Sequence, residues 1–161
     1  KHLIDHEFSI TERCYRVKRK YPDADHRIRP QRFSDIGVGR LHPAAHVFSG
    51  DIYVLIDGGS FSATCLASAC LHYYHRAVFI GEETGGCEYA QGGYFVKSSF
   101  ELPHTHLRFS MTNSMSVGKT DMINTSLGVK PDYFVPLTID DILKQRDPAM
   151  DFAKRLIAEK K

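Results

Sequence analysis

From residue 51 the chain alternates between short apolar runs and glycine-rich breaks. "DIYVLID" (51–57) is almost continuously β-branched or aromatic and stops at Gly58-Gly59, the pattern of a buried strand. "SATCLASACLHYY" (62–74) contains strong helix formers, with Cys65, Leu66, Ala69, Cys70 and Tyr73 recurring at helical spacing. "RAVFIG" (76–81) reads as a second buried strand, ended by Gly81. Strand, helix and strand within so short a span predict a βαβ unit with two parallel strands and a right-handed crossover.

Downstream, "YFVKSSFEL" (94–102) and "LRFSMTNSM" (107–115) are β-type runs, followed by a turn region and "YFVPLT". "TIDDILKQ" predicts a helix with Thr138 as N-cap and Asp141 at the capping-box position. "DPAMDFAKRLIAEKK" predicts another, capped by Asp147 with Pro148 at its first position. Ala149, Phe152, Ala153, Leu156 and Ile157 make its single apolar face. The first fifty residues are less regular. "EFSITERCYRVKRKY" (7–21) fits an amphipathic helix or a β-segment, and Pro22, Pro30 and Pro43 predict long loops from Tyr21 to Phe48.

Composition changes this picture little. The chain has 161 residues, 42% hydrophobic and 25% charged, which suits one globular domain with a core of its own. No run approaches the eighteen or so apolar residues of a membrane span. The net charge of +2 singles out no partner. Residues 1–50 hold ten Lys/Arg against six Asp/Glu, but Asp23 and Asp25 dilute the basic stretch and no aromatic pattern accompanies it. That argues against nucleic-acid binding and for a solvated face. The four cysteines have neither C-x-x-C nor zinc spacing, and Cys65 and Cys70 read as small buried groups on the helix. His2/His6 and His42/His46 are spaced i,i+4, yet no carboxylate completes a metal motif. No metal and no cofactor is expected.

Ser62 is the candidate with a chemical argument behind it. At the carboxyl end of a parallel strand, a helix N-terminus offers unpaired amides and the positive end of the helix dipole. A serine there could attack a carbonyl whose oxygen lies against the Ala63 amide. Serine is equally a favoured N-cap, and both readings stand on sequence alone. The stretch "GGSFSAT" is not the G-x-S-x-G elbow of α/β-hydrolases. A base is harder to find. His72 and His75 lie ten and thirteen residues along the same helix, roughly 15–20 Å from Ser62 at the helical rise. His42 and His46 precede the strand and belong near its opposite end, and His104 and His106 open a β-run of unassigned position. "GEETGGC" (81–87) follows a strand but lacks the helix and G-K-[ST] of a phosphate loop. Its Glu82 and Glu83 either form a solvated turn or orient backbone near the crevice, and the residues alone favour the solvated turn.

"LIDGG" ending a strand, "SFSAT" opening a helix, "FIGEETGG" ending the next strand and a late "GVKPD" (128–132) occur in fixed order over residues 49–136. In this the chain resembles the C-terminal half of the S41 peptidases, the C-terminal-processing and tricorn-core-like serine proteases. The resemblance implies an α/β, ClpP/crotonase-like ββα fold, with Ser62 as nucleophile and the Ala63 amide as oxyanion donor. Three departures accompany it. Cys87 stands where a Ser–Lys dyad would have its lysine, and Asn124 or Thr125 where the tricorn-like members carry a glutamate. The glycine-rich "DLRGNGGG"-type strand that supplies the second oxyanion donor is absent from residues 1–50, as is a recognisable PDZ domain.

These observations lead to one expectation. Residues 1–50 form an irregular, basic segment joined to the same domain as 51–161, and the whole is the C-terminal part of an S41-like catalytic domain. It acts on peptide or protein substrates through an acyl-enzyme on Ser62. Its base is unassigned; a histidine base, if there is one, would lie upstream of Lys1, and this chain alone is expected to be inactive. The resemblance also implies an exported, cell-envelope protein. Two rivals are a catalytically inactive module binding peptide or ligand in the same crevice, and an acyl-CoA-handling crotonase relative.

Overall fold

The computed structural model describes residues 1–17, 28–30, 39–92, 95–112, 114–121 and 126–160. In chain order the elements are β1 (Thr11–Val17), β2 (Ile28–Pro30), β3 (Tyr53–Ile56), α1 (Ala63–Tyr73), β4 (Val78–Gly81), β5 (Ala90–Gly92) and β6 (Phe95–Glu101). They continue with β7 (Arg108–Thr112), β8 (Ser114–Gly118), β9 (Tyr133–Phe134), α2 (Ile139–Leu143) and α3 (Pro148–Glu159).

The expected strand–helix–strand unit is present. β3 and β4 pair in parallel, with Tyr53 opposite Val78 and Ile56 opposite Gly81. β9 joins the far side of β4, also in parallel, giving a three-stranded sheet in the order β3-β4-β9. Gly81 has φ +124, and a Cβ there would sit 2.1 Å from the Ile56 carbonyl oxygen. Only glycine lets β4 end so close to β3. The Asp132 carboxylate accepts the Phe79 amide at 2.7 Å, so the end of "GVKPD" holds β4 from outside the ladder.

β2, β1, β8 and β5 form a second, antiparallel sheet, and β6 pairs with β7 in a hairpin. This corrects one expectation. "LRFSMTNSM" is not a single β-run, because β7 stays with β6 while β8 pairs with β1 and β5. Alternation along the run is the same for one strand as for two in different sheets, so the break carries no hydrophobic signal. The ambiguity at residues 7–21 resolves as strand over Thr11–Val17. Much of the loop region expected from Tyr21 to Phe48 lies outside the described residues, as do Asn124 and Thr125.

α1 sits between two apolar clusters. Cys65 and Ala69 pack with Ile56, Phe79 and Val129. Cys70 faces Ile4 and Phe8 of the N-terminal segment, with Leu41 and Tyr74 beside them. Small side chains at 65, 69 and 70 let the helix approach both partners closely, as close packing demands. Arg76, just past α1, fastens the N-terminal segment by donating to the carbonyls of Leu3, Phe48 and Gly50 at 2.7, 2.6 and 2.9 Å.

The helix caps follow the sequence reading. Thr138 and Asp141 complete a reciprocal capping box on α2, and Asp147 accepts the Met150 amide at the start of α3, with Pro148 in its first turn. On the apolar face of α3, Ala153 is buried, while Ile157 keeps 44% of its surface exposed.

None of the four cysteines forms a disulfide. Burial raises the Cys65 thiol above its ordinary value and pushes Cys70 up to about 11. Both thiols are therefore expected to resist iodoacetamide at pH 8.5 in the native protein and to react fully in guanidinium, as peptide mass mapping would read. A folded-state value above the unfolded one stabilises the protein below pH 9 and loses that contribution as pH rises toward 11. Cys70→Ala should accordingly flatten the fall in stability between those two pH values.

Candidate active site

The chain leaves β3 through a turn built on Asp57. Asp57 Oδ1 accepts the Gly59 amide at 2.9 Å and the Ser60 hydroxyl at 3.2 Å. The Asp57 carbonyl accepts the Ser60 amide at 2.9 Å, and the buried Ser60 Oγ accepts the Asp57 amide at 3.2 Å. A side chain that bonds its own backbone two residues on is what aspartate contributes to such turns. The turn delivers Ser62 to the head of α1.

Ser62 is not an ordinary cap. Its φ of 52 and ψ of −118 lie outside the regions that L-residues favour, and its side chain makes no capping bond. Thr138 and Asp147, at the heads of α2 and α3, show the usual arrangement: extended backbone and a side-chain oxygen accepting an amide. Ser62 instead contributes its carbonyl, which accepts the Leu66 amide at 2.9 Å. Its side chain is exposed at the carboxyl end of the parallel sheet. The simple capping reading is therefore the one the geometry disfavours.

The head of α1 also differs in charge. Its first turn has no acidic residue, whereas α2 has Asp140 and Asp141 there and α3 has Asp151. The positive end of the α1 dipole is thus not offset from within the helix. Ala63, the first helical residue, is exposed, and its amide belongs to the turn that lacks intrahelical acceptors. An anionic oxygen would be stabilised there.

The remaining motif segments close around this turn. The Gly86 amide donates to the Ser60 carbonyl at 3.1 Å, and the Thr84 amide to the Val129 carbonyl at 3.1 Å. Glu83, expected as a solvated turn residue, instead accepts the Gly128 amide at 2.7 Å. A Cβ on Gly85 would lie 2.2 Å from the Gly58 carbonyl, and one on Gly128 would lie 2.1 Å from that of Thr84. These glycines permit backbone contact between segments far apart in sequence, not phosphate binding.

The histidines disperse. His72 Nδ1 lies 3.4 Å from Oε1 of Glu88, a buried carboxylate that also accepts the Thr120 hydroxyl at 2.8 Å. His42 faces Glu7, His106 faces Glu101, and His2 bonds the His46 carbonyl. His75 follows the end of α1 with φ 50, and His104 is exposed. Among the described residues no side chain hydrogen-bonds Ser62. Cys87 is half-buried, with its carbonyl accepting the Gln91 side-chain amide.

A cleft of about 330 Å³ opens at the carboxyl ends of β3 and β4. Asp57 and Glu82 line it beside Leu137 and Arg146, while Ser62 does not. Sequence reasoning missed Asp57, Thr84, Glu88 and Arg76. Asp57 alone carried a usable signal, since Asp before Gly-Gly is a turn pattern.

With this geometry in view, the relationships of the chain become informative. The model of peptidase family S41 matches residues 4–135. A protein of Chlamydia pneumoniae is 32% identical over 107 residues, 66% of this chain and 16% of its own length. One from Chlamydia trachomatis is 28% identical over 125 residues, 76% of this chain and 20% of that protein. The chain thus spans a fifth or less of these curated relatives. Among solved structures, a Parabacteroides merdae protein superposes with a TM-score of 0.60 at 20% identity, covering 96% of this chain and 44% of its own. Mature CPAF is similar with a TM-score of 0.50 at 28% identity, over 66% of this chain and 20% of that one. The mixed α/β fold and the family match, which takes in every motif segment around Ser62, lead to one conclusion: the chain belongs to peptidase family S41.

Proposed function

We propose that this chain carries the nucleophile half of a serine-type peptidase, with Ser62 as nucleophile and the Ala63 amide as an oxyanion donor. The observation that carries the proposal is the backbone of Ser62. A non-glycine residue held at φ 52 and ψ −118 costs on the order of 1–3 kcal/mol and persists only where its surroundings enforce it. A residue needed only to start a helix would relax into the extended cap seen at Thr138 and Asp147.

In this reading Ser62 Oγ attacks the peptide carbonyl carbon and its proton passes to a general base. The carbonyl oxygen becomes an oxyanion against the head of α1. Collapse of the tetrahedral species breaks the C–N bond, and the amine leaves with the proton held by the base. Water then hydrolyses the acyl-enzyme by the same route. Residues 1–50, packed on α1 through Ile4 and Phe8, belong with 51–161 to the C-terminal part of a ClpP/crotonase-like ββα catalytic domain. The base comes from elsewhere in the longer protein. Two facts support this: no described side chain bonds Ser62, and the chain spans a fifth or less of its curated relatives. Cys87, in the place of a dyad lysine, favours the alternative of a peptide-binding module without catalysis.

The test compares the longest natural form of the protein with residues 1–161, each treated with a fluorophosphonate and read by intact mass. A single adduct on the long form, absent from the short one and lost in Ser62→Ala, is expected. No adduct on either, with casein left intact, would leave the binding module. Ser62→Gly should raise the unfolding free energy by about 1 kcal/mol by relieving the backbone. Equal or lower stability in a urea titration would remove the argument from strain.

A further inference from the structure

We infer that Thr84 is a positioning residue whose hydroxyl fixes the turn that presents Ser62. This rests on the nucleophile reading above and adds a residue to the same site. Thr84 is only 4% exposed, yet its side chain is polar and fully engaged. Its Oγ1 donates to the Gly86 carbonyl at 2.9 Å and accepts the Val129 amide at 2.8 Å. The Cys65 thiol, in the first turn of α1, donates to the same Gly86 carbonyl at 3.0 Å and lies 3.3 Å from Thr84 Oγ1. Gly86 in turn donates its amide to the Ser60 carbonyl, two residues before Ser62.

One hydroxyl therefore joins three segments that share no local sequence: the loop after β4, the "GVKPD" stretch and, through Gly86, the Asp57–Ser62 turn. The contact surfaces have little slack. A Cβ on Gly86 would lie 2.8 Å from the Cys65 Cβ and 3.3 Å from the Phe61 Cα. The loop is thus wedged between α1 and the turn, and its orientation is set by the bond at Gly86 O. Valine matches the shape of threonine but takes the hydroxyl acceptor from the Val129 amide and leaves the Gly86 carbonyl with the weaker Cys65 thiol donor alone. The loop then turns to satisfy them, and Ser60 and Ser62 shift with it.

The experiment uses the longest natural form and follows fluorophosphonate labelling at a temperature where circular dichroism shows each variant fully folded. Thr84→Val is expected to lower the maximal labelling rate about tenfold to a hundredfold, the cost of a small misplacement of a reacting group. The inhibitor's half-saturating concentration should stay unchanged, and Thr84→Ser should recover labelling to within about twofold. In parallel, amide exchange of the peptide spanning residues 58–66 should quicken in Thr84→Val and not in Thr84→Ser. Wild-type labelling together with wild-type exchange in the folded Thr84→Val protein would overturn the inference, because a merely structural hydroxyl alters stability alone. If the unsubstituted protein takes no label, the nucleophile reading fails, and the exchange comparison alone decides whether Thr84 fixes the turn. If Thr84→Val does not fold, Cys65→Ala removes the other donor to Gly86. Slower labelling or quicker exchange at 58–66 is expected there, and wild-type labelling together with wild-type exchange would overturn the inference.

Discussion

The approach of β4 to β3 at Gly81 is the constraint on which the rest of the structure depends. Gly81 closes the register against Ile56, and with a Cβ excluded there the chain passes directly over the Ile56 carbonyl, which accepts the Glu82 amide at 2.9 Å. On its other side the Gly81 carbonyl accepts the Val135 amide at 2.8 Å, which leads β9 alongside β4. A bulkier residue would separate the two strand ends and, with them, the turns that leave each one. The loop at 82–86 and the turn at 57–62 could then no longer exchange the bond from Gly86 to Ser60.

That contact explains how the backbone at Ser62 is sustained. A strained residue in an isolated turn would relax, since nothing nearby opposes it. Here the turn is braced at its start by the Asp57 carboxylate, in its middle by Gly86 and Gly85, and at its end by α1. α1 itself is clamped on two sides by Phe79 with Val129 and by Ile4 with Phe8. The burial of Phe79 and Val129, both fully inaccessible, contributes roughly 3–6 kcal/mol, enough to offset a strain of about 1–3 kcal/mol. Strain at the site is thus supported by the core beneath it, and the head of α1 needs no acidic residue or side-chain cap.

What could be read in the sequence was whatever depends on neighbours in the chain. The strand at Tyr53–Ile56, the helix from Ala63 and the caps at Thr138 and Asp147 each rest on local periodicity or local hydrogen bonding, and each was legible. The division of 107–115 between two sheets was not, because pairing partners are chosen across the fold and both halves alternate alike. Glu83 looked like a solvated turn residue, and only the folded chain brings Gly128 to it. Thr84 and Arg76 were silent for the same reason: a buried threonine and a carbonyl-binding arginine have no sequence period. The order of the four motif segments did signal the family, since that order reflects the assembled site.

On the nucleophile reading proposed for Ser62, the site separates two tasks that serine catalysis would have to combine. Among the described residues, the hydrogen bonds that brace the Ser62 turn join residues between Asp57 and Val129, on a scaffold of main-chain contacts that tolerates no side chain at Gly81, Gly85 or Gly128. Proton transfer is a different requirement, because it needs a titratable group within hydrogen-bonding reach of Oγ. Three of the described histidines meet other demands: His72 answers the buried Glu88, and His42 and His106 sit in exposed pairs with Glu7 and Glu101. Moving His72 to Ser62 would cost Glu88 its basic partner inside the fold and would need the length of α1 to be crossed. In the proposed reading, the base is brought to Ser62 rather than recruited from the described residues that hold the turn.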